Sequence, residues 1–189
     1  MTVVQETILE TIARYRLDFS LLKQEMNGHL VAYLDNGATT QKPDQVIDRM
    51  THFYKHENAT VHRGIYGLSQ KATDLCDDVR ALVRTFIGAR DISEVIFVKG
   101  TTEAINLVAT SFSKAFIQPG DEIVITAMEH HANIVPWQQA CLAYGAVLKV
   151  VPIDDKGALD VEQFYDMVTE KTKMVGVTHV SNVLGTHND

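Results

Sequence analysis

From residue 94 onward the chain alternates two hydrophobic rhythms, and this alternation restricts its fold more than any other feature. EVIFVKG, DEIVITA, AVLKVVPI and KMVGVTHVS are short apolar runs of strand length, rich in Val and Ile. Between them lie segments with helical spacing. TTEAINLVATSFSKAF places Ile105, Val108, Phe112 and Phe116 on one stripe. A second helix is expected from about Val135 to Tyr144, ending at Gly145. A third opens at Asp160, with a Leu159–Phe164 staple and Gln163 in the return position of a capping box. Strands alternating with helices require crossover connections, which build a mostly parallel sheet with helices on both faces. The expected fold class is therefore α/β.

The upstream half is less regular. MTVVQETILETIARYRLDF spaces Val4, Ile8, Ile12 and Tyr15 as an amphipathic helix packed on the body. HLVAYLDNGATTQKP predicts a strand from Leu30 to Leu34 that breaks at Asp35-Asn36-Gly37. Pro43 suits the first position of a helix whose Val46, Ile47, Met50, Phe53 and Tyr54 share one face. HENATVHRGIYGLSQ is polar and irregular, so it predicts an exposed loop, and Ser69 is placed to cap a helix running to about Ile87. The expected organisation is a helical arm over residues 1–29 and one domain over residues 30–189. That domain stops at VSNVLGTHND, straight after a strand with no closing helix, so it is expected to be incomplete.

Composition removes several classes of function. With 46% hydrophobic and 22% charged residues the chain can bury a core. A net charge of -7 disfavours nucleic acid and anionic membranes as partners. No apolar run has the length of a membrane helix, and the N-terminus resembles neither a signal nor a transit peptide. Two distant cysteines, Cys76 and Cys141, form neither a disulfide framework nor a CxxC zinc motif and suit a reducing cytoplasm. A soluble, cytoplasmic protein is expected.

In open parallel sheets, ligands sit beyond the carboxyl ends of the strands. Three expected strands end in polar sequence there: KGTTE, then EHHAN, then THVSN. Thr101 and Thr102 open a long helix after Gly100, where free N–H groups favour an anion such as phosphate; the plainer reading is an N-cap threonine. His130 and His131 lack HxxxH or HExxH spacing, so no metal site is expected, the alternative being one drawn from His130, His179 and a carboxylate on separate strands. A histidine at a strand end can instead stack on a flat anionic ligand or transfer a proton, or simply support a loop. Asn182 offers an amide to a ligand oxygen or caps its own loop. His62-Arg63 reads equally as an anion contact or a solvated loop. GxSxG, a Walker lysine and CxxC are all missing from the sequence.

In this order and spacing, YLDNGATTQKP, VHRGIYGLS, FVKGTTEAINLVA, MEHHANIVPWQ and THVSNVLGT resemble the N-terminal part of a Suf-type cysteine desulfurase. That family lies in the class-V aminotransferase superfamily of fold-type I enzymes that use pyridoxal 5′-phosphate. The resemblance runs from about Asp18 to Asn188. It implies a partial fold-type I large domain, with Thr101 and Thr102 on the cofactor phosphate. His130 would stack on the cofactor ring and be available for proton transfer, and Asn182 would bond its phenolic oxygen. His62 and Arg63 match a loop near the substrate entrance. The implied reaction takes sulfur from L-cysteine onto a protein thiolate as a persulfide and releases alanine, in support of iron–sulfur cluster assembly. A homodimer and a sulfur-acceptor protein are the implied partners.

Residues 1–189 contain neither the family's Ser-Gly-His-Lys context for the cofactor lysine nor a cysteine matching the sulfur acceptor. The chain alone is thus expected to be inactive. Smaller departures are Ser20 for Pro, Gly37 for Ala, Tyr66-Gly67 for His-Thr, and Asp189 for Pro. A selenocysteine lyase or other class-V enzyme, such as one like kynureninase, and a non-catalytic remnant serving as a binding module are the alternative readings.

Overall fold

The computed structural model describes residues 7–188; Val4, on the expected N-terminal stripe, and Asp189 lie outside it. The chain forms two compact units, one ending at Val95 and one beginning at Ile96.

In the N-terminal unit, α1 (Ile8–Arg16) starts in a reciprocal capping box: Thr7 Oγ1 accepts the Glu10 N–H, and Glu10 Oε2 accepts the Thr7 N–H at 2.8 Å. It buries none of its described residues, so the expected packing of its apolar stripe is not observed. A two-residue antiparallel ladder follows, β1 (Glu25–Met26) with β2 (His29–Leu30). The expected strand Leu30–Leu34 thus survives only at its first residue, because 31–34 meet no partner strand among the described residues. Helix α2 (Asp44–His56) has Pro43 as its N-cap, one residue earlier in the helix frame than expected. Helix α3 (Gly67–Ile87) begins two residues before Ser69 and ends at Gly88 with φ 70. Ser69 is therefore not the cap but a buried residue inside the first turns.

The C-terminal unit follows the alternating pattern closely. Helix α4 (Thr101–Phe116) leads to β3 (Glu122–Thr126), α5 (Val135–Tyr144), β4 (Val147–Val151), α6 (Val161–Met167) and β5 (Thr172–Gly176). The sheet is parallel in the order β4-β3-β5, which makes β3 the central strand. Ile123, Val124, Ile125 and Thr126 are accordingly almost inaccessible. Ile123 and Ile125 pack in one cluster with Ala109 and Ile117 from the α4 region and Trp137, Ala140 and Cys141 of α5. Each such isoleucine contributes about 1.5–3 kcal/mol by leaving water. Gly145 ends α5 in the left-handed region, φ 71, as its position in sequence suggested.

One expected strand is not formed. Residues 95–98 of EVIFVKG form no strand, and Ile96 and Phe97 are exposed. A strand is completed by a neighbour's ladder, and none reaches this segment among the described residues.

Candidate functional site

The parallel pairing of β3 with β5 sets their carboxyl ends side by side, and the two polar loops grow from those ends. After β3, the EHHAN loop folds into a 3-10 turn, His131–Asn133, before α5. Glu129 is the centre of this loop. It is buried, accepting from Thr126 Oγ1 at 2.6 Å and from the Thr178 N–H at 2.7 Å on one oxygen. Its other oxygen accepts from Asn133 Nδ2 at 2.7 Å, and Asn133 Oδ1 in turn accepts from Trp137 Nε1 at 2.8 Å. One carboxylate therefore joins the end of β3, the turn, α5 and the segment after β5. Gly176 leaves room for this arrangement, since a Cβ there would lie 3.1 Å from Asn133 Nδ2.

With the loop fixed, His130 is held at its N-cap position, its Nδ1 accepting the Ala132 N–H at 3.1 Å. A neutral ring accepting at Nδ1 carries its proton on Nε2. The exposed ring is thus oriented, with a defined donor edge. The His131 ring lies 6.1 Å away, tilted by 52°.

His130, His131 and Thr102 line one cavity of about 550 Å³, whose walls include Asn106 of α4 and Pro136, Gln139 and Tyr144 of α5. Its lining mixes apolar helix residues with a few polar side chains, the usual composition of a small-molecule site. Helix α4 presents its N-terminus at this cavity. Gly100, its N-cap, has no side chain to cap it, and the first i to i−4 bond is the Ala104 N–H to the Gly100 carbonyl. The N–H groups of the first turn precede that bond and, with the Thr102 hydroxyl, can serve as a donor set for an oxyanion. The Glu103 carboxylate accepts the Lys99 N–H at 2.7 Å. The combination of anion donors and an oriented imidazole fits a planar ligand that carries a phosphate.

The structure does not bring all candidates together. Thr101 and Asn182 are exposed and do not line the cavity. Asn182 lies on a hairpin after β5, closed by the Ser181 N–H to the Thr186 carbonyl at 2.9 Å and pinned by Val183 and Leu184 N–H groups on Ser181 Oγ. His62 and Arg63 belong to the N-terminal unit. Sequence reasoning gave Glu129 no role, although a carboxylate directly after a buried strand, four residues before an Asn, was the available signal.

Residues 32–189 match the aminotransferase class-V family. A cysteine desulfurase of Pectobacterium atrosepticum is 54% identical over 177 residues, covering 94% of this chain and 44% of that protein. Among solved structures, the apo cysteine desulfurase of Thermococcus onnurineus NA1 superposes with a TM-score of 0.83 at 38% identity, over 93% of this chain and 42% of that one. A cysteine desulfurase of Escherichia coli gives 0.76 at 32% identity, over 94% and 43%. The chain spans less than half the length of these relatives. It belongs to the aminotransferase class-V family.

Proposed function

We propose that this member of the aminotransferase class-V family provides the phosphate-holding and ring-stacking part of a pyridoxal-phosphate-dependent cysteine desulfurase of the Suf type. The observation that carries the reading is the shared cavity, in which Thr102 at an uncapped helix start faces the same space as the oriented ring of His130. Similarity to cysteine desulfurases at about half identity adds to it.

Thr101, Thr102 and the first-turn N–H groups of α4 would hold the phosphate. His130 would lie against the pyridine ring, and its Nε2–H would hold or pass a proton. Asn182 would donate its amide to the phenolic oxygen. When bound, the cofactor supplies an electron sink for carbanion chemistry on the amino acid. Glu129 does not touch the ligand; it keeps the His130 loop in place through Thr126, Asn133 and Thr178. His62 and Arg63 are proposed for the substrate side. The substrate is L-cysteine, and the setting is a cytoplasmic homodimer passing sulfur to an acceptor protein. Among the described residues no helix is long and apolar enough to cross a membrane. Residues 1–29 are proposed as an arm and 30–189 as part of the large domain.

Residues 1–189 hold no lysine in the family's cofactor-binding context. The 189-residue chain is therefore proposed to bind pyridoxal phosphate reversibly and to turn over no cysteine. Calorimetric titration with pyridoxal phosphate tests the site: Thr102→Val and His130→Ala are each expected to weaken binding about tenfold or more. Equal affinity in parent and variants overturns the assignment. Sustained alanine release from L-cysteine overturns the proposed inactivity.

A further inference from the structure

We propose that His62, Cys76 and Asp77 form a binding site for a transition-metal ion of the Zn²⁺ class. None of the three lines the His130 cavity, and the proposal does not rest on the desulfurase reading, which gives only His62 a role, on the substrate side.

The ligand atoms of these residues lie within 4.8 Å of one another, with His62 Nε2 3.7 Å from an Asp77 carboxylate oxygen. Metal–ligand bonds of about 2.0–2.3 Å at tetrahedral angles place donor atoms roughly 3.3–3.8 Å apart. Closing the remaining gap requires only side-chain rotation, and His62 and Asp77 are exposed enough to rotate.

The backbone beneath them is already fixed. Ser69, Thr73, Cys76 and Asp77 are spaced i, i+4, i+7 and i+8, which puts them on one stripe of α3. The 60–64 loop is tied down along the first half of that stripe. Buried Ser69 Oγ donates to the Thr60 carbonyl at 2.6 Å and accepts the Gly64 N–H at 3.1 Å. Thr73 Oγ1 donates to the Ser69 carbonyl at 2.9 Å and accepts the His62 N–H at 3.0 Å. The fit at Gly64 is tight, since a Cβ there would lie 2.4 Å from Ser69 Oγ. These ties deliver His62 to the second half of the stripe, where Cys76 and Asp77 stand.

The donor set selects the ion. Sulfur with imidazole disfavours Mg²⁺ and Ca²⁺, which prefer oxygen, and suits Zn²⁺ or Co²⁺, with water in the fourth position. The thiol proton passes to solvent as the metal–sulfur bond forms. Asp74 and Asp78 flank the pair in sequence and add negative charge around a cation.

The test is titration of the reduced 189-residue chain with Co²⁺, followed by displacement with Zn²⁺. One equivalent is expected to produce a near-ultraviolet thiolate-to-cobalt band that Zn²⁺ bleaches. Cys76→Ser should abolish the band. His62→Gln and Asp77→Asn should each weaken binding at least tenfold, with the far-ultraviolet circular dichroism of the parent retained. His187→Ala should change nothing, although His187 and His179 approach to 3.1 Å on the C-terminal hairpin. Absence of the band in the parent overturns the proposal. So does a band that survives Cys76→Ser, one removed instead by Cys141→Ser, or binding lost in His187→Ala.

Discussion

Glu57 and Glu129 are both buried carboxylates, one in each unit, and they are satisfied in opposite ways. Glu57 closes α2 and meets two cations, Arg49 Nη1 at 2.7 Å and Lys71 Nζ at 3.1 Å, with His52 Nε2 at 3.6 Å beside them. Glu129 is met by neutral donors alone, a hydroxyl, an amide and a backbone N–H. Cations on long side chains give attraction that salt and acid can remove. Neutral donors fixed in strands and turns give little freedom of position, and their bonds to a charged acceptor are among the stronger ones. The charged arrangement joins two helices, α2 and α3; the neutral one fixes a loop that must hold a ring in register with a helix start.

The largest test of this contrast is Glu129→Ala. It leaves Asn133, Thr126 and the Thr178 N–H without an acceptor, at about 1–3 kcal/mol for each group that stays buried, so a loss of about 3–5 kcal/mol is expected. Trp137 is the only tryptophan in the sequence and donates to Asn133, so its fluorescence during urea unfolding reports on this region directly. Glu129→Gln should cost less, about 1–3 kcal/mol, because its carbonyl oxygen still accepts while its NH₂ faces the Asn133 donor. A midpoint unchanged in Glu129→Ala would mean that the network does not fix the loop.

The same contrast explains what was legible in the sequence. The alternating apolar runs specified α4 to β4 almost residue by residue, whereas the run KMVGVTHVS forms a strand only as far as Gly176, where its pairing with β3 ends. EVIFVKG carried an equally good strand pattern but forms no ladder among the described residues, since pairing is decided by what lies alongside rather than by the segment itself. Thr102 and His130 were recognisable from their place after apolar runs, and they do share a cavity. Glu129 was not, because its bonds come from residues 126, 133 and 178, the last visible only once β5 lies beside β3. The His62, Cys76 and Asp77 cluster escaped for the same reason: its histidine reaches the helix through a folded-back loop, so no ligand spacing appears in the sequence.

Glu57 gives the next test, through pH and salt. Its hydrogen bonds with Lys71 and then Arg49 hold its carboxyl below the ordinary glutamate range, outweighing the opposing effect of burial. A carboxyl lowered in the folded chain stabilises above its unfolded value and loses that contribution as pH falls through the folded one. Stability of the N-terminal unit, followed by far-ultraviolet circular dichroism, should therefore fall as pH drops below about 4.3. Glu57→Gln should flatten that acid dependence, and 1 M NaCl should weaken the parent more than Glu57→Gln. If salt shifted the Trp137 transition equally, the division between charged and neutral fastening would fail.

The smallest effect is expected at the hairpin that carries Asn182, fastened by another neutral bond. Thr186 Oγ1 donates to the Gly157 carbonyl at 2.8 Å, tying the hairpin to the turn after β4. Thr186→Val removes the bond while nearly keeping the shape, and a loss of about 1 kcal/mol is expected. Gly157→Ala strains the same tie from the other side. Gly157 has φ +77, and its added Cβ would meet Leu184 Cδ1 at 3.1 Å, for a cost of about 1–2 kcal/mol. Because both changes act on one contact, the double variant should lose less than the two single losses combined. Full additivity in urea unfolding would show that the bond does not couple the two turns. A loss from Thr186→Val that vanished in 1 M NaCl would place this tie with Glu57 rather than with Glu129, since a hydroxyl-to-carbonyl bond carries no charge for salt to screen.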